Sequence, residues 1–156
     1  MNSNLQALRA EYPGKWSDEH MALAEKLLAE AELEYGERDR AWTFVGVRLE
    51  EPKGNFTWPM DKERELASIC LKKLLPTDFP DLLLFNLAHE TLHMLLPPDW
   101  DKVTYLEEGV AVAFSLSRTG IYKNDCYVGK QQGVFEGDPD SKYTICLLYT
   151  SPSPRD

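Results

Sequence analysis

His89 and His93 stand four residues apart, with Glu90 directly after the first, in the string His89-Glu90-Thr91-Leu92-His93. On a helix, side chains at i and i+4 share a face about one turn apart, so both imidazoles can bind one metal ion. A carboxylate beside the first ring then reaches a water held at the open position of that metal. The chain has three histidines, and this pentapeptide uses two of them. The third, His20, lies in an acidic helical stretch and reads as a surface residue. The bland alternative is a buried helix with two hydrogen-bonded core histidines. Leaving such groups buried and unpaired costs several kcal/mol, and metal binding explains their presence directly.

Catalytic zinc takes three protein ligands and keeps one position open. The third ligand is expected from an element packed against the histidine-bearing helix, and Glu107 and Glu108 are the available donors. Thr104-Tyr105-Leu106-Glu107 has the spacing of a capping box, which turns Glu107 back toward the helix start. Glu108 is then the preferred ligand and Glu107 the alternative. Ala111 and Ser115, on the face of Glu108, leave room for close helix contact.

Several elements must position these groups. Ser17 followed by Asp18 and Glu19 starts a helix. Met21, Ala24, Leu27, Leu28 and Ala31 form its 3.6-residue apolar stripe, and Gly36 ends it. Residues 42–49 read as a strand, 51–55 as a turn, and 56–58 as a short strand stopped by Pro59 at a sheet edge. Residues 66–71 are a third strand. Thr77 or Asp78 caps the motif helix, with Pro80 in its first turn. That helix is apolar nearly all round from Leu82 to Leu96, as a buried helix is, and Pro97-Pro98 terminates it. A second buried helix runs over 104–117. The expected class is α+β: a small mixed or antiparallel sheet with an edge strand, packed on the buried motif helix and the glutamate-bearing helix.

The order His-Glu-x-x-His followed by Tyr105-Leu106-Glu107-Glu108-Gly109-Val110-Ala111 resembles the gluzincin branch of zinc metallopeptidases over roughly residues 66–117. The resemblance implies a zincin-like fold, one Zn2+ held by His89, His93 and Glu108, and Glu90 as catalytic base. It implies hydrolysis of a peptide or protein substrate by zinc-activated water. It also places the substrate-binding edge strand at 66–71, with Ser68, Ile69 and Cys70 along it. The interval from His93 to Glu108 is short for that family, so the loop around Trp100 must be tight. Val112, four after Glu108, replaces the acidic residue of some members, so another group must orient His89. Tyr122 and Tyr127 are the candidates for steadying the oxyanion. A zinc-binding regulatory or interaction domain of the same fold, without peptidase activity, is the alternative reading.

At 156 residues the chain is one domain by length, with 43% hydrophobic and 28% charged residues. A net charge of −9 argues against nucleic acid or an anionic membrane as partner. No apolar run reaches the ~20 residues of a transmembrane helix. Residues 1–16 lack the order of a signal peptide, so a cytoplasmic location is expected. Cys70, Cys126 and Cys146 form no CxxC pair, and Cys70 reads as a buried thiol. The last eleven residues, Cys146–Asp156, resemble the translated read-through of a transposase-type sequencing-library adapter. The expected domain is therefore 1–145, truncated at its C-terminus, with 146–156 a non-native tail.

Overall fold

The computed structural model of the chain describes residues 3–50, 54–72, 81–97 and 103–119. Among them are α1 (Ser3–Glu11), α2 (Asp18–Tyr35), β1 (Thr43–Glu50), β2 (Phe56–Asp61), β3 (Leu66–Lys72), α3 (Leu82–His93) and α4 (Tyr105–Thr119). The class is α+β, with four helices and a three-stranded mixed sheet among the described residues. No helix among them is long and apolar enough to cross a membrane.

α2 forms as its sequence dictates. Ser17 sits at the N-cap with extended backbone, and its side chain accepts from the His20 N–H. Gly36 closes the helix at a φ of 109°, a conformation that favours glycine. Met21, Ala24, Leu27, Leu28 and Ala31 are all buried. They join Phe44, Val47, Ile69, Leu87 and Phe114 in one core between the sheet and the helices. Burying an aliphatic side chain of this size stabilises the fold by about 1.5–3 kcal/mol.

The sheet order is β1-β3-β2, with β1 parallel and β2 antiparallel to β3. This corrects the edge assignment made from sequence. β3 is the central strand, paired on both sides, so Ser68, Ile69 and Cys70 present no free edge to a substrate. The physical reason lies in β3 itself, whose residues Leu66 to Leu71 are all buried. A strand apolar on both faces belongs inside a sheet. The edge near the motif helix is β2, which continues through Pro59 rather than stopping there. Proline lacks the N–H of a ladder donor and is tolerated on an edge beside an irregularity. The pairing register does shift between Pro59 and Asp61.

β1 is buried on both faces because α1 covers the side away from the main core. No apolar periodicity announces α1, and it is held by a buried arginine instead. Arg9 Nε donates to Val45 O at 3.0 Å and Nη1 to Asp18 Oδ1 at 2.7 Å. The Trp16 ring lies under the guanidinium groups of both Arg9 and Arg48, at 5.2 and 5.4 Å from its centroid. The register of β1 on β3 slips between Phe44 and Gly46. Gly46, at a φ of 143°, leaves the space into which Arg9 reaches.

Helix α3 begins later than expected, with Asp81 at its N-cap making no side-chain cap bond. Thr77, Asp78 and Pro80 fall outside the described residues. The helix also ends earlier, at His93 rather than Leu96. Met94 N–H bonds to Thr91 O at 3.1 Å and Leu95 N–H to Leu92 O at 3.0 Å, a tightened last turn. Among the described residues, α3 and α4 form the most extensive helix–helix contact. Ala111 and Ser115 lie fully buried on α4.

Candidate metal centre

The C-terminal half of α3, from Leu87 to Leu92, is buried on every side, His89 and Glu90 included. Helical spacing brings His89 and His93 together edge to face, with ring centroids 5.0 Å apart and planes at 70°. The Phe85 ring lies 6.5 Å from His89 at a shallow angle of 25°, backing the first imidazole one turn earlier.

The capping box of α4 is present in full. Thr104 N–H donates to Glu107 Oε2 at 2.6 Å, and Glu107 N–H donates to Thr104 Oγ1 at 3.2 Å. Glu107 is thereby turned to the exposed start of the helix. Glu108, one residue on, points toward α3 and is 9% exposed.

His89, His93 and Glu108 form the one three-residue metal-competent group among the described residues. His89 Nε2 lies 3.3 Å from His93 Nε2. Glu108 Oε2 lies 3.3 Å from His89 Nε2, and Oε1 lies 3.5 Å from His93 Nε2. A tetrahedral ion with donors at ~2.0–2.1 Å spaces those donors ~3.3–3.4 Å apart. The two nitrogens stand at that spacing from each other, and each lies within 3.5 Å of one of the two Glu108 oxygens, so the three side chains could share one metal ion. Glu108 Oε2 is buried and has no hydrogen-bond partner among the described residues, although His89 Nε2 is near. The atom is close enough to share a cation and misaligned for an N–H donor, so the donor set fits a metal.

The electrostatics agree. Burial pushes the Glu108 carboxyl up, but the His89 and His93 imidazoles beside it outweigh burial and leave the pKa well below the usual range. Burial pushes the His93 imidazole down, yet Glu108 as acceptor, with the charge of Glu90, Glu108 and Glu107, leaves it raised overall. Both directions follow from the close approach of the carboxylate to the two imidazoles.

Glu90 stands apart from the three candidate ligands. It is 6% exposed, and burial raises its pKa against the opposing pull of His89, His93 and the Thr57 hydroxyl. Thr57, on β2, has its Oγ1 2.7 Å from Glu90 O and 3.2 Å from Glu90 Oε2. Sequence reasoning missed Thr57. Its signal was a polar residue at an inward position of a strand, visible only once the parity of β2 is known. β2 thus meets the motif helix at Glu90, while β3 also packs against that helix.

An apolar cleft of about 240 Å³ opens beside His93, walled by Leu92, Leu95, Leu106, Glu107 and Val110. Val112 is buried and apolar, so the acidic partner expected of some gluzincins has no counterpart there. His20 is on α2, half-buried, with Nδ1 2.6 Å from Ser17 Oγ, and takes no part in the cluster. Cys70 is buried, as expected. Tyr122, Tyr127, the loop around Trp100 and the tail 146–156 lie outside the described residues. No protein-family model, curated protein or solved structure matches the chain. The functional reading consequently stands on the geometry of the site.

Proposed function

We propose that the chain is a zinc-dependent hydrolase of peptide bonds with a zincin-like arrangement of sheet, motif helix and glutamate helix. The observation that carries the proposal is the convergence of His89, His93 and Glu108 at zinc-ligand spacing, with a buried carboxylate adjacent on α3. When bound, the ion supplies Lewis-acid polarisation and a water acidic enough to ionise near neutral pH.

The protein's own groups do the rest. Glu90 accepts a proton from the attacking water and returns it to the leaving nitrogen. Its raised pKa suits a group that must be a base and then an acid. The buried walls around it keep bulk water from competing for that proton. Among the described residues β2 pairs only with β3. Its outer edge therefore supports addition of an extended peptide, with affinity drawn from backbone hydrogen bonds.

One observation favours a second reading, a zinc-binding domain without peptidase activity: His89 and Glu90 are only 5% and 6% exposed. A peptide library incubated with the zinc-loaded chain separates the two. Cleavage by the wild type that Glu90→Gln abolishes, while zinc is retained, is the expected result. A zinc-loaded chain that cleaves no peptide favours the binding domain.

A further inference from the structure

The tightened end of α3 leaves a particular carbonyl in need of a donor. In a regular helix the N–H of Met94 would bond Glu90 O, four residues back. Here Met94 N–H bonds Thr91 O instead, at 3.1 Å. Glu90 O is one of the four carbonyls that a helix C-terminus leaves without an internal partner. The Thr57 hydroxyl supplies the donor at 2.7 Å, from a strand that is distant in sequence.

The same oxygen lies 3.2 Å from Glu90 Oε2. The hydroxyl carries one proton, so its donation is shared in a three-centre bond between the backbone carbonyl, the nearer acceptor, and the carboxylate of the same residue. The contact ties the Glu90 carboxylate to the same strand residue that meets its backbone. The hydroxyl is itself fixed. Thr57 is 1% exposed, it is β-branched and so stiff at χ1, and it pairs across the sheet with the fully buried Ile69 on the central strand.

We propose that Thr57 is a positioning residue that pins the Glu90 carboxylate to the edge strand, holding the base in register with a peptide laid along β2. The proposal rests on the peptidase reading for the role of Glu90, and on the observed contacts for the pinning. It goes beyond a helix cap. A cap alone would need only the carbonyl contact, and its loss would lower stability without touching the chemistry.

The test compares Thr57→Val, which keeps the shape and removes the hydroxyl, with Thr57→Ser, which keeps the hydroxyl. Crystal structures of the zinc-loaded variants are expected to show the Glu90 carboxylate displaced or split between conformers in the valine variant and restored in the serine variant. Turnover per zinc-loaded molecule is expected to fall of the order of tenfold to a hundredfold in the valine variant with KM little changed, as misplacement of a catalytic group by about 1 Å does. Serine should rescue it. If the valine variant does not fold, Thr57→Ala removes the same hydroxyl without placing a methyl against the carboxylate, and the same readouts apply. A carboxylate that stays in place, or a kcat that does not fall in an active enzyme, overturns the proposal. A wild-type chain that cleaves nothing sinks the peptidase reading instead, and the position of the carboxylate still decides whether Thr57 holds it.

Discussion

Glu107 and Glu108 are adjacent and chemically identical, yet they stand in different surroundings, and on the proposed zinc site truncating each to alanine should give opposite results. Glu107 Oε2 accepts from Thr104 N–H at 2.6 Å at the exposed start of α4. Losing that bond costs about 1 kcal/mol, the usual value of an N-terminal cap. In a protein of this size that lowers Tm by about 2–4 °C, and bound zinc should be unaffected. Glu108 lies 3.3 and 3.5 Å from the two imidazoles. A zinc site worth about 10–16 kcal/mol, shared over four ligands, assigns about 2.5–4 kcal/mol to each. Glu108→Ala should therefore weaken zinc binding by roughly two to three orders of magnitude. Competition with a chromophoric chelator measures the affinity, and thermal unfolding with and without zinc measures the stability. A Glu107 variant that loses the metal, or a Glu108 variant that keeps wild-type affinity, would refute the assignment.

Two further predictions concern the frame around the site. Asp61 is held below its usual 3.8 by the backbone N–H of Arg64, then by the Tyr12 hydroxyl at 2.9 Å. Its folded pKa is depressed, so its stabilising contribution is present above the unfolded value and lost as pH falls through the folded one. Thermal unfolding of Asp61→Asn should show a flatter acid limb below that value, and an unchanged profile would count against the contact. Gly46→Ala, at a φ of 143° and against the Arg9 guanidinium, should cost about 1–3 kcal/mol of stability. Urea denaturation reads this directly, and a neutral substitution would mean that α1 is not latched through Arg9.

Much of the site was legible because its signals are local. His89, Glu90 and His93 share one helix, and the capping-box spacing at Thr104 to Glu107 already separates the roles of Glu107 and Glu108. The stripe of α2 was equally plain, since burial follows the helical period from Met21 to Ala31. What the sequence hid is non-local. The three strands were recognisable singly, but their order was not, and the central place of β3 moved the free edge to β2. α1 escaped because a buried arginine, rather than an apolar stripe, ties it to β1. Thr57 escaped because its meaning depends on a carbonyl released by the turn at the end of α3.

The proposed centre is one zinc ion bound by two nitrogens and a carboxylate. X-ray absorption at the zinc edge of the purified, zinc-loaded chain tests this without any assumption about activity. The expected spectrum shows only nitrogen and oxygen neighbours at ~2.0–2.1 Å, with the outer-shell scattering of two imidazoles. A sulfur neighbour at ~2.3 Å, a single imidazole, or a protein that retains no zinc after dialysis would contradict it.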